Sequence, residues 1–197
     1  GLVDANAGVV RYSNNISWEN VALVRELGKY FACEIRISND ANCAALGEVR
    51  AGAAKDVSNA ILLTLGTGVG GGIILNGKVF EGSNAGGAEL GHTSLILGGE
   101  PCTCGRRGCV EAYASATALI RDAKRAAIAD KKSLMNRMCG GKIENMNGKI
   151  PFDAALEGDQ AAREVVENYY TYLAEAIANY VNIFRPDVVL LSGGICN

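Results

Sequence analysis

The stretch from Glu89 to Glu111 constrains this chain more than any other. It reads Glu-Leu-Gly-His, nine residues, then Cys102-Thr-Cys104-Gly-Arg-Arg-Gly-Cys109-Val-Glu111. It holds the single histidine, His92, and three of the seven cysteines. One imidazole and three thiolates form a Cys₃His set, which Zn²⁺ binds tetrahedrally in closed structural sites. The tight Cys-x-Cys and the Gly-Arg-Arg-Gly turn suit a knuckle, because glycine lets the backbone fold sulfurs round one centre. A core histidine among small apolar cysteines is the ordinary alternative for any one of these residues taken singly. Four metal-competent side chains in one short span favour a structural zinc held by His92, Cys102, Cys104 and Cys109. A disulfide fits less well, since Cys102 and Cys104 are too close to pair comfortably. With four protein ligands no open position remains for an activated water, so the zinc is not the reagent. It can fix the loop carrying Glu89, His92 and Glu111. Two carboxylates held on such a loop suit hydrogen bonding to the hydroxyls of a polyol or sugar; solvated surface acids are the alternative.

Composition narrows the function classes. The chain has 197 residues, 49% hydrophobic and 20% charged, with a net charge of −2. That is an ordinary globular balance for one domain, or one and a piece. It offers no electrostatic footprint for nucleic acid. No apolar run is long enough for a bilayer and no signal peptide precedes the first strand, so no membrane partner is expected. An odd number of cysteines, three in metal spacing, points to a reducing, cytoplasmic setting. The first residue is not Met, and the last residues, from Leu190 to Asn197, stop just after a glycine turn. A piece of a longer protein is the expectation.

In chain order, Gly1 to Asn15 reads as two extended pieces, Gly1–Val3 and Gly8–Ser13, around a turn. Ser17 can cap a helix over Trp18–Phe31, with Val21, Val24, Leu27 and Phe31 on one stripe. Cys33–Ser38 alternates as a strand and runs into Asn39-Asp40-Ala41-Asn42, which opens an Ala-rich helix to about Ala54. Asp40 at that junction has an ordinary explanation as an N-cap. The other is a general base, since ligands bind at the carboxyl ends of strands in α/β proteins. Ala60–Leu65 is a buried strand, followed by Gly66-Thr67-Gly68-Val69-Gly70-Gly71-Gly72, a strand Ile73–Leu75 and the hairpin turn Asn76-Gly77. Joining two strands, the glycine loop is neither a Rossmann fingerprint nor a Walker A loop. It can still offer backbone N–H groups to phosphate, with the Thr67 hydroxyl assisting; a plain tight turn is the alternative. Ala112–Ala129 reads as one helix. Asp130–Lys149 is polar and irregular, and Pro151-Phe152-Asp153 starts a short helix. Asp159 can cap a long helix over Gln160–Phe184, which Arg185-Pro186 ends. Asp187–Leu191 is a buried strand ending in Ser192-Gly193-Gly194, where a nucleotide could sit. Strands alternating with helices indicate an α/β architecture with a mixed sheet.

Four elements stand in order: Asn39-Asp40-Ala41-Asn42, Leu65 to Gly72, the Glu89 to Glu111 stretch, and Leu191-Ser192-Gly193-Gly194-Ile195. Together, over nearly the whole chain, they resemble the ROK family (repressors, open reading frames, sugar kinases), and its glucokinase-like members above all. The resemblance implies an actin-like ATPase, ribonuclease H-like fold of two domains with sugar and ATP meeting between them. It makes residues 1–38 the remnant of a small α/β domain and 39–197 a truncated large domain bearing the knuckle 89–111. It implies ATP-dependent phosphorylation of the 6-hydroxyl of a hexose, glucose first, with Mg²⁺ accompanying the ATP. In that reading Asp40 is the catalytic base, and Asn39, Glu89, His92 and Glu111 bind sugar. His92 also ligates zinc with Cys102, Cys104 and Cys109. Gly66, Thr67 and Gly68 form the second phosphate loop, and Gly193 with Gly194 the adenosine motif. A homodimer through the large domain is implied as well. The family's first phosphate loop, Asp-x-Gly-Gly-Thr, is missing, so this chain alone is expected to be catalytically poor. Alternatives are the sugar-sensing core of a ROK repressor, a kinase for N-acetylmannosamine or N-acetylglucosamine, and a bare zinc-binding interaction module.

Overall fold

The expected strand Ala60–Leu65 is the spine of the main sheet, and five of its six side chains are buried. The computed structural model describes residues 1–13 and 16–196. Asn14 and Asn15, which end the first expected extended stretch, and Asn197 lie outside the described residues. The fold is α/β with a mixed sheet, as the alternation of elements predicts.

Two compact units are formed. The first comprises Gly1–Leu62, Gly71–Glu89 and Pro186–Leu190; the second comprises Leu63–Gly70, Leu90–Arg185 and Leu191–Asn197. The chain opens with three antiparallel strands, β1 (Leu2–Asp4), β2 (Val9–Tyr12) and β3 (Glu19–Val21), in that order across a small sheet. Val3 faces Val10, and Val10 in turn faces Val21. Helices α1 (Leu23–Leu27) and α2 (Asp40–Ala51) follow, then β4 (Ala60–Leu65), β5 (Val69–Leu75) and β6 (Lys78–Val79). With β7 (Val188–Ser192) these last strands make a four-stranded sheet, ordered β6-β5-β4-β7. In the first unit Ala45 and Val49 of α2 pack with Leu62, Ile74, Val188 and Leu190. Asp187 ties the start of β7 to Asn59, whose backbone N–H it accepts at 2.9 Å.

The second unit carries α3 (Glu111–Ala114), α4 (Ala116–Ala129), α5 (Leu134–Met138), α6 (Ile150–Leu156) and α7 (Gln160–Phe184). The expected stripe of α7 is buried at Val165, Val166, Tyr169, Leu173 and Tyr180, so its aromatic residues serve packing. Asp159 caps this helix, accepting the Ala162 N–H at 2.7 Å. Two buried hydroxyls find carbonyls, Tyr169 donating to Ala114 at 3.0 Å and Tyr180 to Leu90 at 2.7 Å.

Six local expectations are corrected. Trp18–Phe31 is not one helix capped by Ser17: residues 19–21 pair with β2, and the helix spans only Leu23–Leu27. Cross-strand pairing of Val21 with Val10 outweighs a weak helical stripe, because propensity yields to tertiary context. Cys33–Ser38 alternates but forms no strand, since alternation without a partner edge leaves the ladder unmade. The helix over Ala112–Ala129 is broken at Ser115, which is extended (φ −85°, ψ 163°) and caps α4. Asp40 is not the cap of α2; Asn39 is. The irregular stretch 130–149 contains α5, and β5 begins at Val69, inside the glycine run. Among the described residues no helix is long and apolar enough to cross a membrane.

Candidate functional site

The ligand atoms of His92, Cys102, Cys104 and Cys109 all lie within 4.8 Å of one another. Cys102 Sγ is 3.5 Å from His92 Nδ1, and Cys104 Sγ is 3.7 Å from Cys109 Sγ. An ion with metal–sulfur bonds of about 2.3 Å and metal–nitrogen bonds of about 2.0–2.1 Å, arranged tetrahedrally, separates its ligands by about 3.5–3.8 Å. The four residues therefore fit a tetrahedral metal ion, and none of the cysteines is in a disulfide.

The backbone builds this cluster locally. Bridges pair Ser94 with Cys109 and Pro101 with Arg107, and Cys102 N–H donates to the Arg106 carbonyl at 2.9 Å. Gly108 sits at φ +81°, and a Cβ there would run into the Ile96 carbonyl, so the turn needs glycine. Arg106 donates to the His92 carbonyl at 3.2 Å and to Ser94 Oγ at 2.8 Å, tying the two halves of the knuckle together. Burial pushes the Cys109 thiol up to about 12 and raises Cys102 too, while the Arg106 backbone N–H lowers Cys104. Cys102 and Cys109 thus resist becoming thiolates until a cation joins them.

The same unit brings Glu111 and the glycine loop to the knuckle. Glu111 Oε2 accepts the Val69 N–H at 3.1 Å, and its Oε1 accepts the Thr103 hydroxyl at 2.8 Å. The loop's other side leans on the start of α4: Ala116 N–H donates to the Gly66 carbonyl and Thr117 Oγ1 to the Thr67 carbonyl, both at 2.8 Å. The break at Ser115 frees Ala116 N–H for that bond, as a continuous helix could not. Thr67 is exposed. Gly193 (φ +114°) lies in the same unit with its backbone against that of Leu65, and Gly194 is exposed.

Asn39, Asp40 and Glu89 belong to the first unit. The Asn39 side chain accepts the N–H groups of Ala41 at 2.9 Å and Asn42 at 3.3 Å, leaving Asp40 exposed as the first helical residue. Glu89 is exposed. Three residues to which sequence reasoning gave no role gather at the start of α2. Ser38 Oγ and Asn42 Nδ2 both donate to Glu81 Oε1, at 3.3 and 3.4 Å. Buried Asn42 Oδ1 finds no partner among the described residues. Glu81 stands in no motif, and only folding places it at the start of α2. Thr103 and Thr117 were missed likewise, each being a hydroxyl with no spacing signal. A groove of about 640 Å³ in the second unit, lined by Arg121, Arg125, Glu164 and Tyr172 among others, includes none of the predicted site residues.

The profile of the ROK family matches residues 1–197. Over 196 residues the chain is 40% identical to the glucokinase of Thermotoga maritima, covering 99% of this chain and 62% of that protein. It is 33% identical over 192 residues to the xylose repressor of Caldicellulosiruptor bescii, covering 97% of this chain and 47% of that one. Among solved structures it resembles a ROK family glucokinase from Streptomyces griseus in complex with glucose and AMPPNP. That likeness has a TM-score of 0.87 at 34% identity, over 99% of this chain and 63% of the other. The chain thus spans about three-fifths of the length of the glucokinases it matches.

Proposed function

The chain belongs to the ROK family, and from that membership we propose that the protein transfers the γ-phosphoryl group of ATP to the 6-hydroxyl of a hexose, glucose first. The observation that carries this reading is the division of labour at the start of α2. Asn39 takes the capping bonds, so the exposed carboxylate of Asp40 is released for proton transfer. As the sugar oxygen attacks, the new O–P bond forms while the bond from phosphorus to the ADP oxygen breaks, and the hydroxyl proton passes to Asp40. Such a transfer needs mainly positioning and charge neutralisation, the latter supplied by Mg²⁺ when bound with ATP.

In this reading Asn39, Glu89, Glu111 and the second ring nitrogen of His92 hold sugar hydroxyls. Gly66, Thr67 and Gly68 face the phosphates, and Gly193 with Gly194 faces the adenosine. Zn²⁺ held by His92, Cys102, Cys104 and Cys109 shapes the loop without joining the chemistry. Residues 1–38 then belong to the small domain and 39–197 to the large one. Support comes from the glucokinases at 40% and 34% identity.

The test is ATP-dependent phosphorylation of glucose, N-acetylglucosamine and N-acetylmannosamine by full-length protein, beside its Asp40→Asn variant. Turnover is expected with glucose, and the variant should lose about 10²–10⁴-fold in kcat while sugar affinity holds. Retained turnover removes Asp40 as the base. A second reading, a sugar-sensing repressor core, is favoured by the xylose repressor at 33% identity. Sugar binding with no turnover on any of the three would select it.

A further inference from the structure

Glu111 bonds to two structures at once. Its Oε2 holds the backbone N–H of Val69, where the glycine loop enters β5. Its Oε1 holds the hydroxyl of Thr103, which lies between two sulfurs of the metal cluster, and Cys102 Sγ is 3.6 Å from that same oxygen. The fit on the loop side is close, since a Cβ on Gly68 would collide with Glu111 Oε2. A carboxylate accepting a backbone N–H is a charge-assisted bond, directional enough to set the peptide plane between Gly68 and Val69.

The rest of the loop's polar groups are accounted for in a telling way. The carbonyls of Gly66, Thr67 and Gly68 are taken by Ala116 N–H, Thr117 Oγ1 and Gly66 N–H, at 2.8, 2.8 and 3.0 Å. The Val69 N–H goes to Glu111. Among the described residues, the N–H groups of Thr67 and Gly68 find no protein acceptor. Adjacent amides left over in this manner form a small anion-binding concavity, provided the peptide planes on either side are held. One side is held by α4 and the other by Glu111.

We propose that Glu111 is a positioning residue that couples occupancy of the Cys₃His metal cluster to the anion-binding geometry of the glycine loop. With the ion bound, Cys102 and Cys104 fix Thr103 between them. Thr103 then anchors Oε1 of Glu111, and Oε2 holds the loop amide. Without it the Cys102-Thr103-Cys104 turn is released, Glu111 loses its anchor, and the amides of Thr67 and Gly68 lose their common direction. A carboxylate offers about four lone-pair positions. One on Oε2 is still available for a sugar hydroxyl, so the coupling does not displace the proposed substrate contact. That the anion is the phosphate chain of a nucleoside triphosphate rests on the function proposed above; the coupling itself does not.

The test is amide hydrogen exchange at Val69 in metal-loaded and chelated protein, with the β4 amide of Leu63 as a control for global unfolding. Removing the ion is expected to speed exchange at Val69 by about tenfold or more while Leu63 stays protected. Thr103→Val, an exposed position where folding is not at risk, should retain the ion yet show the fast exchange in both states. Glu111→Ala, which leaves neither acceptor, should also show fast exchange in both states. Exchange at Val69 that ignores the ion, or that still follows it in Thr103→Val, overturns the proposal. Binding of Mg²⁺-AMPPNP to the loaded and chelated forms separates the two readings. Weaker binding after chelation supports both. Metal-dependent exchange with no nucleotide binding in either form upholds the coupling and overturns the phosphate assignment of the loop.

Discussion

Asn39 and Asp40 are adjacent acceptors at one helix start, and folding gives the capping bonds to Asn39 alone. The side chain with the right reach for the N–H groups of the first turn is Asn39, which has extended backbone (ψ 147°) while Asp40 is already helical. Side-chain caps act from the residue just outside the helix, and a residue inside it cannot bend back to its own turn. Asn39→Ala should therefore destabilise the protein by about 1 kcal/mol in urea unfolding. An unchanged midpoint would contradict the cap. A sequence reader sees Asn-Asp before an Ala-rich run and knows a cap is there, but not which of the two takes it. The choice depends on where the backbone leaves its extended path, which is set by the packing of Ala41 and Ala45 beneath. Glu81 is a harder case. It receives bonds from Ser38 and Asn42 across about forty residues of chain, and nothing local announces it.

Helices and strands were legible where one face is buried from end to end. The α7 stripe is of that kind, long enough for its period to be read, and β4 was legible as an unbroken apolar run covered on both faces. Short elements were not. A helix of about four turns was expected where β3 and the five-residue α1 stand, because the energy of a short element lies mostly in its partner. The break between α3 and α4 shows the same: Ser115 in an alanine-rich helix looks harmless until the Gly66 carbonyl is present to accept Ala116 N–H. The tie between α7 and α3 makes a prediction at this scale. Burial pushes the Tyr169 hydroxyl up to about 12, and it donates to the Ala114 carbonyl. Its folded value is thus above the ordinary value of about 10, so its contribution is complete below pH ~10 and fades as pH rises through ~12. Tyr169→Phe should cost about 1 kcal/mol at neutral pH and flatten the loss of stability between those limits. An equal alkaline loss in the variant would assign it to other groups.

At the scale of the whole chain, the Cys₃His cluster, which could hold a metal ion, is the element whose loss should be felt most widely in the second unit. Cys104 is exposed, so Cys104→Ser disturbs little packing and acts through the ion. We expect one Zn²⁺ per chain in the wild type and none in the variant. Chelation should lower the melting temperature of the wild type to that of Cys104→Ser and leave the variant unchanged. A chelator effect on both proteins would locate the metal elsewhere. The knuckle, the buried strand β4, the long helix and the glycine turns were determined by the sequence itself, because each rests on spacing within a few turns of chain, whereas β7, expected to be buried, is only partly covered. Ligand spacing, a hydrophobic period and a glycine that must turn are all local quantities. Tertiary structure alone decided that Asn39 caps in place of Asp40, that Ser115 interrupts a helix, and that Glu111 spans from Thr103 to Val69. Each of these is settled by a hydrogen-bond partner distant in sequence or by the packing beneath, and a donor shows its acceptor only once the chain has brought the two together.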